Sequence, residues 1–335
     1  MIKAVELNNF GPIEKLNLKN LGRINLFIGP NRSGKTILLK ALYCAQRTIE
    51  ITDRGKNKMS DKDTLANKLY WAFQVDKIGN MVRRPESGPL SFAMKEKNGS
   101  EFSYSFGADT EKKIVRIENK CKPRDTNSVF IPAKEVLSLL DVIKNNREVR
   151  MEFGFDETYY DLAAALTPPT QGKVAQVFND VRGKLEAAID GKVIYSKEKK
   201  LWQYVQGKNT FDINATSEGT KKIAIFDTLI ANHFLSRDSI VFIDEPESGL
   251  HPGLLIELLD IIAMLAEYGM QFFIASHSYF VIKKLYLLAQ KSGMSIPVVS
   301  FNKNGEVNEG NMKNGMPENA IIDESVKLYE EGLSL

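Results

Sequence analysis

A chain of 335 residues with 43% hydrophobic and 26% charged residues has an ordinary globular composition and is long enough for one large domain or two. Its net charge of +3 is too mild to announce a nucleic-acid binder, although a local basic patch could lie within it. The two cysteines, Cys44 and Cys121, show no CxxC or metal-ligand spacing, so no disulfide framework is expected, which fits a reducing cytosol. Cys44 falls in a helical run and reads as core. The opening Met1-Ile2-Lys3-Ala4-Val5-Glu6 lacks the apolar region of a signal peptide. The longest apolar stretch, residues 254–266, is broken by Glu257 and Asp260 and is too short to span a bilayer. A soluble cytoplasmic protein with no membrane partner is expected.

In chain order, residues 2–8 and 14–18 alternate apolar and polar, which predicts two strands joined by a turn at Gly11-Pro12. An apolar run at 24–28 predicts a buried strand. It leads into Gly29-Pro30-Asn31-Arg32-Ser33-Gly34-Lys35-Thr36, the G-x-x-x-x-G-K-T pattern of a phosphate-binding P-loop, and a helix is predicted over 36–50. That context carries the reading. A buried strand delivers the loop, and a helix N-terminus follows, so that unpaired backbone N–H groups and the helix dipole face a phosphate. Gly29 and Gly34 allow the tight backbone path. Lys35 can reach the β- and γ-phosphates of ATP, and the Thr36 hydroxyl can ligate Mg²⁺.

Residues 52–63 are polar, basic and poorly patterned, and read as a loop that is either a solvated surface or a nucleic-acid contact. Helical spacing returns at 64–74. Between 90 and 117 the period changes to two, with turns at Asn98-Gly99 and Gly107-Ala108, predicting an antiparallel meander that flanks the nucleotide. A short strand at 128–132 ends at a proline. Helices are predicted over 134–145, 156–166 and 172–189, and a small hairpin from 193–195 and 201–205. Within 156–166, Tyr159 and Tyr160 are either buried against neighbouring helices or part of a partner surface. No internal repeat or sustained heptad pattern appears, so no coiled-coil arm is expected.

Three further clusters carry chemistry. Ser217-Glu218-Gly219, before an apolar helix at 223–234, is a Ser-x-Gly turn at a helix N-terminus, which is an anion site or a plain N-cap. Ser239 to Pro246 reads as a buried parallel strand ending in two acids. Asp244 is placed to bind Mg²⁺, and Glu245 to orient or deprotonate a water. Residues 272–278 give another buried strand, ending at His277, whose neutral imidazole can hydrogen-bond a γ-phosphate or that water. A strand at 296–301, a polar stretch to 319 and a helix at 322–331 complete the chain.

Taken together, P-loop, Ser-x-Gly, apolar-Asp-Glu-Pro and Ser-His resemble the ABC-type ATPase heads, most closely the soluble branch of SMC, RecF, RecN and the overcoming-lysogenisation-defect (OLD) ATPases. Asn8-Asn9-Phe10-Gly11-Pro12, Phe130 to Glu135, Asp156 to Leu162, and Asp244-Glu245-Pro246-Glu247-Ser248-Gly249-Leu250-His251-Pro252 look like the small bacterial OLD-like "AAA family ATPases". That group includes the ATPase subunit of the PARIS anti-phage system. The resemblance implies one α/β ATPase head: a nucleotide-binding core with its β side sheet over 1–120 and 211–310, a mainly helical lobe over 121–210 and a tail helix over 311–335.

It also implies a head-to-head dimer or higher homo-oligomer with ATP between subunits. Gly29 to Thr36, Asp244, Glu245 and His277 would act in cis; Ser217 and Gly219 would complete the partner's site, and residues 247–250 would cross the interface. The chain departs from the pattern in three places. No glutamine follows Ile131 where a Q-loop is expected, Arg32 replaces a P-loop glycine, and Glu218 replaces the first signature glycine. The Glu218 acid near a phosphate implies slow hydrolysis. The stretch after His277 is too short for the Toprim nuclease of OLD proteins, so a nuclease or toxin effector is expected to be a separate chain. Two functions fit: an ATP-gated scaffold or sensor for such an effector, or a DNA-acting ATPase of RecF or OLD type.

Overall fold

The computed structural model describes residues 1–52, 54, 58–84, 88–124, 126–169, 172–199, 201–302 and 307–334. Strands β1 (Ile2–Phe10) and β2 (Ile13–Leu18) pair antiparallel across the Gly11 turn. β3 (Ile24–Ile28), with all five residues buried, leads through the Gly-rich loop into α1 (Lys35–Ile51). Of the basic loop expected over 52–63, residues 53 and 55–57 lie outside the described residues. α2 (Asp61–Phe73) starts inside that stretch because the Ser60 hydroxyl accepts the Asp63 N–H as an N-cap. β4 (Leu90–Glu96), β5 (Glu101–Phe106) and β6 (Arg116–Asn119) form the expected meander. β4 also pairs with β1, giving one five-stranded antiparallel sheet in the order β2-β1-β4-β5-β6.

The chain then crosses to β7 (Val129–Ile131), α3 (Leu140–Asn145), a π-helical turn at Asn146–Arg150, α4 (Glu157–Ala165) and α5 (Gln176–Ala188). Two of the predicted helices are shorter than expected: the 134–145 stretch opens with a 3₁₀ turn, and α5 begins only at Gln176. β8 (Lys192–Ser196), β9 (Leu201–Gln206) and β10 (Asn209–Asp212) make a three-stranded sheet, of which the last strand was not anticipated. α6 (Glu218–Ala231) starts earlier than the apolar run suggests, because Ser217 caps it. After it come β11 (Ile240–Asp244), α7 (Pro252–Tyr268), β12 (Gln271–Ser276), α8 (Tyr279–Ser292), β13 (Pro297–Phe301), β14 (Val307–Asn311) and α9 (Ala320–Leu333).

The central sheet has the order β14-β13-β3-β12-β11-β7, with β14 antiparallel to β13 and the other neighbours parallel. β7 therefore belongs to this sheet although it lies within the 121–210 stretch. Alternation along the buried strands feeds two cores. Leu26, Ile243, Phe272 and Ile274 face α6, α7 and the lobe. Phe27, Phe242, Phe273 and Phe130 face α1 and the antiparallel sheet. On that second face Phe27, Phe273, Phe242 and Phe130 stack strand to strand at 6.3, 5.1 and 6.5 Å between centroids. Tyr43 of α1 packs edge-on against Phe130 and Phe242, each at 5.7 Å. The P-loop helix thus rests on an aromatic floor. Register then aligns the strand ends: Ser276 sits beside Ile28, and Asp244 beside Ala275. Everything attached to the carboxyl ends of β3, β12 and β11 converges on one edge, where open α/β sheets place ligands.

Candidate nucleotide site

The loop after β3 is folded by positive φ angles at Gly29 (143°), Arg32 (65°) and Gly34 (99°). A Cβ at Gly29 would lie 2.5 Å from the Phe301 carbonyl, and one at Gly34 would lie 2.9 Å from Ile13, so both positions demand glycine. Arg32 holds the same left-handed region with a side chain, and that side chain is exposed. α1 begins with Gly34 as N-cap, without a side-chain cap and without an acid in its first turn. Its first N–H groups are left to an anion. Lys35 is buried and donates to the carbonyls of Gly29 and Pro30, both at 2.8 Å. Burial lowers its pKa, while Asp244, Glu245 and Glu247 pull it up. The ammonium is folded over the loop it would serve. Pro30, Asn31 and Ser33 complete the curve.

Thr36 donates its hydroxyl to Asp244, 2.9 Å from Oδ2 and 3.1 Å from Oδ1. A neutral hydroxyl beside a carboxylate is a hard-oxygen pair of the kind Mg²⁺ shares with phosphates and water. Among the described residues no group of three or more His, Cys, Asp or Glu side chains could cage a metal by itself, so a cation here would also need ligand oxygens. Burial pushes the Asp244 pKa up to about 6, opposed by the Thr36 bond.

Glu245, next along, sits at φ +49°. Its N–H donates to the Ala275 carbonyl at 2.9 Å, and its Oε1 lies 3.3 Å from His277 Nδ1. Both side chains are partly open to solvent, at 35% and 47%. Glu247 turns inward: its Oε1 accepts the Ser276 hydroxyl at 2.8 Å and the His277 N–H at 3.0 Å, and stands 3.6 Å from His277 Nδ1. Its side chain is thus engaged within its own chain, a role that its place in the expected interface loop did not suggest.

The structure brings Gly29 to Thr36, Asp244, Glu245 and His277 to one edge. Among the described residues no hydrogen bond joins Ser217 or Gly219 to that loop. Ser217 is exposed and caps α6 by accepting the Thr220 N–H at 3.1 Å. Gly219 is buried, with Leu254, Leu250 and the Gly249 carbonyl within 3.4 Å of any added Cβ. The link from α6 to the site is Lys222, which donates to the carbonyls of Glu245 (3.1 Å) and Ser248 (2.9 Å). Sequence reasoning passed over it, because Lys222 stands beside Lys221 in the polar first turns of α6, ahead of the apolar run. It also passed over Lys40, which binds the α4 cap Asp156 at 2.7 Å, one turn beyond Thr36. In the position expected of a Q-loop, Glu135 is buried and caps Ser138. Tyr159 and Tyr160 are half-buried; the Tyr159 hydroxyl meets the Lys134 backbone, and burial lifts its pKa to about 12.

Residues 24–283 match the family model described as "AAA domain, putative AbiEii toxin, Type IV TA system". Over 97 residues the chain is 30% identical to the DNA replication and repair protein RecF of Lactococcus lactis subsp. lactis (strain IL1403), a match covering 29% of this chain and 25% of that protein. Two solved structures share the architecture. One is an Smc head bound to the C-winged helix domain of ScpA, with a TM-score of 0.57, 14% identity and coverage of 92% of this chain and 97% of that one. The other is an Smc head with an extended coiled coil, bound to the C-terminal domain of ScpA and derived from Pyrococcus furiosus, with a TM-score of 0.55, 12% identity and 98% coverage of both chains. The chain shares the fold of these Smc heads, an α/β core carrying a P-loop with an antiparallel side sheet.

Proposed function

The chain belongs to this AAA-domain family, matched over residues 24–283, and from that premise we propose that it hydrolyses ATP as a head-to-head dimer and so gates a separate effector. The observation that carries the hydrolytic reading is the convergence, at one sheet edge, of an uncapped helix N-terminus, the Thr36–Asp244 oxygen pair and the Glu245–His277 contact. The backbone of Gly29 to Thr36 and the Lys35 ammonium bind and orient the phosphates. Bound at Thr36 and Asp244, Mg²⁺ would neutralise charge on the phosphate oxygens. Glu245 takes the proton of the attacking water, and His277 holds that water or the γ-phosphate. Ser217 and Gly219 present the N-terminus of α6 to the partner's nucleotide.

The effector reading, with anti-phage defence as its setting and the PARIS ATPase subunit as its likeness, draws support from the toxin-system description of the family and from Smc heads that carry a bound ScpA domain. A second reading, a DNA-acting ATPase, is favoured by the RecF match. Glu245→Gln protein, tagged and purified from its native host with ATP and Mg²⁺, separates the two. A stoichiometric protein that wild type releases on hydrolysis supports the gated scaffold. Nucleic acid without such a protein supports the DNA-acting enzyme.

A further inference from the structure

Glu245 keeps a side chain in the left-handed region, at φ +49°. Such a conformation persists only where the surroundings over-determine it. Its N–H is fixed by the Ala275 carbonyl at 2.9 Å, and its own carbonyl accepts the Ser248 N–H at 3.0 Å and the Lys222 ammonium at 3.1 Å. The same ammonium reaches the Ser248 carbonyl at 2.9 Å. One buried cation, 2% exposed, therefore grips both ends of the turn that aims the Glu245 carboxylate. Lys222 stands five residues beyond the N-cap Ser217, about 7.5 Å along the helix at 1.5 Å per residue. The first turn of α6 rests on the same segment: a Cβ on Gly249 would come 2.9 Å from the Glu218 Cβ. The helix start and the 245–249 turn are in direct contact.

We propose that Lys222 is a positioning residue that holds the 245–248 turn and so sets the aim of the Glu245 carboxylate. The inference rests on the reading of Glu245 as general base. Lys222 donates to backbone carbonyls of the turn and acts through it.

Lys222→Met keeps side-chain length and removes the charge and its donors. ATP turnover should fall about ten- to a hundredfold, while equilibrium ATP affinity, carried by residues 29–36, stays as in wild type. Amide exchange should quicken at residues 245–248 in the nucleotide-free protein, and Lys222→Arg should recover part of the turnover. In a Glu245→Gln background, Lys222→Met should cost nothing further. Equal losses in both backgrounds, a fall in ATP affinity, or faster exchange spread along the whole of α6 would overturn the proposal and leave the base assignment standing. Normal hydrolysis by Glu245→Gln alone would instead refute the general-base reading, and this inference with it.

Discussion

Burial holds the Asp244 carboxyl at a pKa of about 6, above its ordinary 3.8. A raised folded pKa means that the protonated form favours the fold. That stabilisation is complete below 3.8 and is lost as pH rises through about 6. Near neutral pH the ionised carboxylate therefore destabilises the nucleotide-free protein, a strain that a cation would relieve. Asp244→Asn in EDTA should raise stability near neutral pH by on the order of 1–3 kcal/mol, and the gain should vanish on acidification. A gain that ignores pH would show that the carboxylate is not the source. Lys35→Ala should abolish ATP binding by equilibrium titration. Glu245→Gln should bind ATP and lose roughly 10²–10⁴ in turnover. Asp244, Lys35 and Thr36 were legible because loop and strand end each announce themselves locally. Lys222 and Glu247 were not: their partners are backbone carbonyls and a strand-end serine that sequence alone does not bring near.

At the scale of elements, α1 is tied to the lobe by buried charge as well as by the aromatic floor. Lys68 of α2 stands 2.8 Å from both Glu157 and Asp161 of α4, and the Tyr43 hydroxyl of α1 donates to Asp161 at 2.7 Å. All four side chains are largely buried. Removing the cation leaves two carboxylates there, with Arg147 reaching Glu157 at 3.2 Å. Lys68→Met should therefore lose about 3–5 kcal/mol in urea unfolding, whereas Lys327→Ala, from an exposed pair on α9, should lose under about 1 kcal/mol. Equal effects would mean that the buried network contributes little. The strands were the most legible elements: β3, β11 and β12 read as apolar runs because both faces are covered. The β4–β1 pairing and strand β14 were not legible. β4 pairs with β1 across most of a domain's length of chain, and β14, polar and half-exposed, gives no period to follow. α8 went unread for a related reason, since its exposed Phe280 and Leu287 blur the apolar stripe.

At the scale of the whole molecule, the arrangement within one chain leaves a question that only two chains can answer. Among the described residues no helix is long and apolar enough to cross a membrane, and the Ser217 turn is exposed while the P-loop makes no bond to it. If Ser217 serves its own chain, a protein carrying Lys35→Ala and another carrying Ser217→Arg are each dead, and their mixture is dead too. If Ser217 serves a partner across a two-fold axis, a hybrid dimer gathers both lesions into one site. Its other site then joins the intact P-loop of the Ser217→Arg chain to the intact Ser217 of the Lys35→Ala chain. Random mixing makes about half of the dimers hybrid, each with one good site, so turnover should return to about a quarter of wild type. Recovery that, at fixed total protein, rises with the share of the second protein and peaks at equal amounts supports the shared site. A mixture as inactive as its parts, with ATP-dependent dimers still seen by sedimentation, would mean that Ser217 serves its own chain, and an active Ser217→Arg protein would place it outside the reaction.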